Sequence, residues 1–241
     1  MNMSFIPGTT GGATVQNVGA YGQNWGDSVV VVHCYDRVVD AVVTLTGADM
    51  HYAYRDSALK HEPFSDRLIV VSTDVELLKK ATPCTSYGSL YTRLPHGCKN
   101  VTPSIMRDII IAVRNEKLPR VGETGSAGSF FKNPVVPQSV YHRALAECAA
   151  RGIDTETMPA HEAVMPDGSD GVKLSAAWLI DKSGWKGVVR GNAATWPNQP
   201  LVLVNHTGNA TGADIAALAA EITADIESKW GIKLVPEAEY L

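Results

Sequence analysis

The stretch Gly125-Ser126-Ala127-Gly128-Ser129-Phe130-Phe131-Lys132-Asn133-Pro134 gathers more chemical capacity than any other part of this chain. Its small residues let the backbone turn tightly and approach a ligand closely. The Ser129 hydroxyl sits between a glycine and two aromatic rings. A hydroxyl shielded from bulk water by such rings is easier to position as a proton donor. Lys132 and Asn133 add a cation and an amide able to recognise a nearby anion. The same residues also read as a loop entering a strand, with Phe130 and Phe131 in the core and Ser129 bonded to the backbone. The pattern alone leaves both readings open. A second run, Gly11 to Tyr21, is glycine-rich and carries amides at Gln16 and Asn17. By itself it reads equally well as a plain loop.

Placing such groups takes ordered elements around them. Val29 to Tyr35, Val38 to Leu45 and Leu68 to Thr73 are β-branched runs separated by turn residues, which predicts strands. Thr102 can cap a helix with Pro103 in its first turn and with Ile105, Ile109, Ala112 and Val113 on one face, ending at Glu116. Lys117-Leu118-Pro119 then marks a boundary, because proline disfavours helix in the residue before it. Beyond it, helices are expected over Gln138 to Arg151, ended by Gly152, and over Leu174 to Lys182, ended by Gly184. A strand is expected over Leu201 to Val204. The last helix runs from Ala213 to Trp230 with Ile215, Leu218, Ile222 and Ile226 inward. Gly231 stops it, and a short strand, Ile232 to Leu234, delivers Pro236-Glu237. The expectation is two α+β units meeting near Lys117.

The 241 residues, 45% of them hydrophobic, suffice for one large or two modest cores. A net charge of -4 and a pI near 6.0 speak against a nucleic-acid binder. No basic run is long enough for a membrane surface. No apolar run approaches the ~18 residues of a spanning helix. The start, MNMSFIPGTTGG, lacks the layout of a signal peptide, so the sequons at Asn100 and Asn205 are expected to be idle. Cys34, Cys84, Cys98 and Cys148 are scattered with no CxxC pair, which fits reduced thiols in the cytoplasm. The seven histidines include no pair at helical ligand spacing with a carboxylate, so no metal is expected.

GSAGSFFKNPVV resembles the signature of the UDP-N-acetylenolpyruvoylglucosamine reductase (MurB) family of bacterial cell-wall enzymes. Further segments are similar to that family's and come in its order. They are IPGTTGGATVQNVGAYG near the start, AYRDS at Ala53 to Ser57, KLP at Lys117, DGVKLSAAWLID ending at Asp181, NQPLVLVN ending at Asn205 and LVPE ending at Glu237. The resemblance runs from Phe5 to Glu237. It implies an α+β chain: the remainder of a PCMH/VAO-type FAD-binding domain over 1–116, a MurB-type C-terminal substrate-binding domain over 117–237, and a tail over 238–241. The implied activity is NADPH-dependent, FAD-mediated reduction of UDP-N-acetylglucosamine enolpyruvate to UDP-N-acetylmuramate, in peptidoglycan precursor synthesis. A cytoplasmic monomer with no nucleic-acid or membrane partner is expected.

Hydride addition to an alkene conjugated to a carboxylate builds enolate-like charge. That charge must be spread and protonated on one face, while the remote parts of the substrate hold its reacting end in place. Under the resemblance Ser129 is the proton donor. Arg55 is the permanently charged fork at the carboxylate, and Glu237 is its partner, protonated so that it can donate a hydrogen bond. Lys117, Asn133, Lys173 and Gln199 hold the nucleotide diphosphate, and Tyr87 folds over the substrate as a lid. Gly11, Gly12, Val15, Gln16, Asn17 and Gly19 belong to the flavin site. Taken singly, these residues have plainer readings. Arg55 could pair with Asp56 or Asp36, Glu237 could be a solvated terminal carboxylate, Lys173 a helix-start charge and Tyr87 a loop aromatic.

The resemblance has departures. Met165 stands where the family often has a tyrosine, and Glu239 where it has an arginine two places after the glutamate. In the family the glycine-rich grip on the FAD pyrophosphate precedes the position where this chain starts. A fragment with impaired activity, prone to lose flavin, is therefore expected. The alternatives are a non-catalytic UDP-sugar-binding module and another flavoprotein of the same superfamily.

Overall fold

The computed structural model describes residues 1–79, 90, 92–94, 101–165 and 167–240. Tyr87, Cys84 and Cys98 lie outside the described residues. Two compact units are present, Met1–Arg114 and Asn115–Leu241.

In the first unit, α1 (Thr10–Gln16) precedes a two-stranded ribbon of β1 (Gly19–Ala20) and β2 (Gln23–Asn24). An antiparallel sheet in the order β4-β3-β5 follows, from β3 (Val29–Asp36), β4 (Ala41–Thr46) and β5 (Leu68–Val75). Alternation along β3 turns Val32, Cys34 and Asp36 inward, as the pleat requires. Val32 and Cys34 join Met50 and Leu59 in a core that Val15 of α1 helps to cover. Burial pushes the Cys34 thiol up. The second strand starts at Ala41 rather than Val38. The Asp36 carboxylate accepts from the backbone N–H of Val38 at 2.9 Å, a side-chain turn that takes Val38 and Val39 out of the ladder.

That same carboxylate meets Arg67 through Nε at 2.8 and 2.9 Å and through Nη2 at 2.5 Å. The hydrogen bonds from Arg67 hold the Asp36 carboxyl down at about 2. The folded value is thus below the ordinary carboxylate value of about 3.9. The stabilisation is fully present above that ordinary value and is lost as pH falls through about 2. Thermal melts between pH 6 and pH 2 should therefore show a shallower acid loss for Asp36→Asn than for the wild type. Parallel curves would remove Asp36 from the acid limb.

The helix α2 (Pro103–Lys117) starts where expected, with Thr102 accepting from the N–H of Ile105 at 3.3 Å. Its buried stripe is Met106, Ile110 and Val113, spaced i, i+4, i+7. Ala112, expected inward, is exposed, and Ile105 and Ile109 are half-buried.

The second unit builds one sheet in the order β10-β11-β12-β6 and another in the order β7-β9-β8. The strands are β6 (Ser126–Ser129), β7 (Val135–Pro137), β8 (Ala160–Val164), β9 (Asp170–Leu174), β10 (Val189–Arg190), β11 (Ala193–Trp196) and β12 (Gln199–Asn205). The helices are α3 (Gln138–Ala150), α4 (Ala176–Lys182) and α5 (Gly212–Trp230). Leu218, Ile222, Ile226 and Trp230 of α5 pack with Leu179 and Ile180 of α4 and with Phe130 and Phe131 in one core. A capping box of Thr211 and Asp214 opens α5. Gly231, left-handed at φ 63°, closes it with its N–H on the Glu227 carbonyl at 2.8 Å.

Two expectations shift. Leu174 ends β9, and α4 begins after Ser175, whose hydroxyl caps the N–H of Trp178 at 3.2 Å. Ile232 and Leu234 are buried but form no strand; the segment joins the fold through one bridge, Phe131 to Pro236. Among the described residues, no helix is long and apolar enough to cross a membrane.

Candidate active site

In the first unit the front of the glycine-rich run, Thr10–Gln16, is helical and not a plain loop. Thr9 caps it by accepting from the Gly12 N–H at 3.1 Å, and Thr14, fully buried, bonds Thr73 of β5 at 2.8 Å. Tertiary contact of this kind overrides the helix cost of glycine. A Cβ at Gly11 would meet nothing nearer than Val70 at 4.0 Å, so the backbone of the first turn is open on that side. The Val15 carbonyl accepts from the Ser57 hydroxyl at 2.6 Å.

Asn17 ends the helix in the left-handed region at φ 49°. Its side-chain amide, expected at the flavin edge, is buried and spent on protein. Nδ2 donates to the Ala53 carbonyl at 2.7 Å and Oδ1 accepts from the Gly26 N–H at 2.9 Å. Gln16 differs, since its terminal oxygen takes Lys60 Nζ at 2.8 Å.

Arg55 is brought to this same place. Its guanidinium donates to the Asn17 carbonyl at 3.4 Å and to the Gly19 carbonyl, and it stacks 5.2 Å from the Tyr54 ring. Of the carboxylates considered as its plainer partners, Asp36 meets Arg67 and Asp56 bonds the His61 ring nitrogen at 2.7 Å. Gly19 has to be glycine. A Cβ there would stand 2.8 Å from the Gln23 backbone carbonyl oxygen, besides 2.5 Å from Asn24 Oδ1.

In the second unit, β6 is the edge strand beside β12, with Ser129 opposite Val202. Antiparallel partners share a face. Ser129 therefore looks out on the side of Val202, Val204 and Ala194, which Leu118 and Trp196 flank. Phe130 and Phe131 lie in the main core at 2% and 1% exposure. The expected shielding of the hydroxyl by these rings is absent: Ser129 is exposed, because it sits at the sheet rim and the rings turn inward. Among the described residues its hydroxyl has no hydrogen-bond partner.

Residues 235–237 are clasped to the residues that follow this strand. The Glu237 N–H donates to the Phe130 carbonyl at 2.7 Å and the Lys132 N–H to the Val235 carbonyl at 2.9 Å. Glu237 is half-buried, and Tyr240 meets the Phe130 ring edge-on at 6.3 Å.

Gln199 opens β12, the neighbour of β6. Asn133 accepts from the N–H of Ala176 at 3.0 Å, the first residue of α4. Lys173 lies on the central strand β9, opposite Val135 of β7 and His161 of β8, not at a helix start. Lys117 ends α2. Met165 lies over Gly171, where a Cβ would come within 2.9 Å of its sulfur; Glu239 is exposed. Sequence reading passed over Lys60 and Trp196. A lysine five residues after Arg55 carries no pattern, and a lone tryptophan reads as core.

Comparison with known proteins gives this geometry a context. The model of the UDP-N-acetylenolpyruvoylglucosamine reductase C-terminal domain matches residues 120–241. A UDP-N-acetylenolpyruvoylglucosamine reductase of Chromobacterium violaceum is 41% identical over 240 residues, covering 98% of this chain and 66% of that protein. One of Alcanivorax borkumensis is 41% identical, with 98% and 64% covered. One of Dechloromonas aromatica is 37% identical, with 100% and 68% covered. The chain spans about two thirds of the length of these relatives. The crystal structure of the UDP-N-acetylenolpyruvylglucosamine reductase (MurB) from Thermus caldophilus shares the fold, at a TM-score of 0.58 and 20% identity over 99% of this chain and 62% of that one. Half of the chain matching the family model, and relatives of this identity along nearly all of it, establish that the chain belongs to the UDP-N-acetylenolpyruvoylglucosamine reductase family.

Proposed function

We propose that this chain acts in the reduction of UDP-N-acetylglucosamine enolpyruvate to UDP-N-acetylmuramate, with FAD as bound cofactor and NADPH as hydride source. This is a step of peptidoglycan precursor synthesis, carried out in the cytoplasm by a monomer. The observation that carries the proposal is the clasp of residues 130–132 on 235–237, which puts the half-buried Glu237 opposite Phe130, at the same end as the preceding Ser129 with its unpartnered hydroxyl. The α1 segment fits a flavin: it offers open backbone at Gly11 and an amide at Gln16 whose nitrogen has no protein partner among the described residues.

When bound, FAD supplies the relay of hydride from NADPH to the alkene. The chain's own residues do the rest. Arg55 meets the enolpyruvyl carboxylate with a fixed planar charge as enolate character builds. Glu237 is the second residue assigned to that carboxylate. Ser129 hands its proton to the carbon next to the one that takes hydride, and its exposed position lets solvent restore that proton. Lys117 and Lys173 neutralise the diphosphate, and Asn133 and Gln199 bond the nucleotide.

The test is turnover by the chain supplied with FAD. NADPH oxidation should depend on the enolpyruvyl nucleotide and match the UDP-N-acetylmuramate formed. UDP-sugar binding without NADPH oxidation would reassign the chain as a binding module. Failure to bind any UDP-sugar would remove the substrate assignment.

A further inference from the structure

We infer that Lys60 is a positioning residue that turns the Gln16 amide so that it offers N–H donors, not its carbonyl, to the acceptor rim of an isoalloxazine ring. The inference rests on the flavin assignment above and deepens it. Lys60 Nζ stands 2.8 Å from the terminal oxygen of Gln16. An ammonium carries donors only, so the amide atom facing it has to be the oxygen. The amide nitrogen is thereby turned away from Lys60. Among the described residues nothing accepts its hydrogens.

The lysine is itself held. It closes the short 3₁₀ turn Ala58–Lys60, with its N–H on the Ser57 carbonyl at 3.0 Å. Ser57 is buried, and its hydroxyl bonds the carbonyl of Val15, the residue before Gln16. Lys60 Nζ also lies 3.5 Å from the Arg55 carbonyl. One cation thus bridges the end of α1 and the Arg55 loop.

An untethered glutamine presents donor and acceptor alike. A tethered one presents two donors, and the bonded cation polarises the amide and strengthens them. The pyrimidine rim of an oxidised flavin offers carbonyl oxygens and ring nitrogens as acceptors. Gln16 matches these and rejects the one ring N–H.

Two measurements test this. Side-chain amide NMR of the flavin-free chain should show Gln16 ordered in the wild type and averaged in Lys60→Met. An averaged amide in the wild type overturns the positioning role without reference to any flavin. Fluorescence quenching then gives dissociation constants for FAD and for riboflavin, which shares the ring system but lacks the diphosphate. Lys60→Met is expected to weaken both about tenfold, with Lys60→Arg restoring most of the loss. Gln16→Glu keeps a partner for Lys60 but has no donors, and should weaken both to a similar degree. Unchanged affinity in Gln16→Glu overturns the donor assignment. A wild-type chain that takes up neither FAD nor riboflavin overturns the flavin assignment and the ligand of Gln16 with it, while NMR still decides whether Lys60 orders the amide.

Discussion

Ser129→Ala is expected to cut turnover of the enolpyruvyl nucleotide by roughly 10²–10⁴-fold, the range for losing a general acid. On the proposed roles KM should move little, because the lost proton is assigned to the reacting carbon and the nucleotide grip to other residues. The structural case is that the hydroxyl is uncommitted. The Ser129 hydroxyl has no hydrogen-bond partner among the described residues, and the residue stands at the rim of an edge strand. Its backbone is anything but loose: Ser129 pairs with Val202, and the next residue is tied on both sides, by Leu201 at 2.8 Å and by Glu237 at 2.7 Å. A serine is a poor acid in water, so fixed placement against a strongly basic enolate is what makes it serviceable. Ser129→Cys keeps a transferable proton and should retain a measurable part of the rate. Turnover in Ser129→Ala within about threefold of wild type would exclude the residue as a donor of this kind.

Trp230→Ala is expected to cost the second unit about 3–5 kcal/mol. Trp230 is 1% exposed and closes α5 onto the core. Its ring lies 5.7 Å from that of Trp178 at an interplanar angle of 59°. Its Nε1 donates to Ser183 Oγ at 2.8 Å, and the Arg151 guanidinium sits 5.3 Å from the ring centre. Truncation therefore opens a void, strips one hydroxyl of its donor and removes a cation–π contact worth about 0.5–1 kcal/mol. A loss of that size lowers the melting temperature by roughly 10–20 °C. Trp230→Phe keeps most of the buried ring and loses the N–H, so it should cost nearer 1 kcal/mol beyond packing. Denaturant unfolding separates the two variants. A cost below about 1 kcal/mol for alanine would mean that α5 settles into the gap.

Much of this molecule was legible in the chain alone, and for local reasons. β-branched runs marked β3 and β5, and Thr102-Pro103 marked the start of α2. Gly231 marked the end of α5 because only a left-handed residue closes it there. The family, too, was legible, since its signatures are short, contiguous and ordered. These features depend on residues adjacent in sequence, whose propensities act whatever the rest of the fold does.

Other features were settled by atoms distant in sequence. Glycines 11 and 12 became helical because Thr14 found Thr73 and Val15 found the sheet core. The Asn17 side-chain amide was engaged by Ala53 and Gly26. Ser129 came out to the surface because β6 fell at the edge of its sheet. Gln16 acquired a direction only when Lys60 arrived beside it. Sequence determines which groups a chain owns and where its backbone is free to bend. Which of those groups are spent on the protein itself, and which face outward with a hydrogen bond still to give, is decided by contacts between segments, because each buried polar group must be paired before any is left over for a ligand.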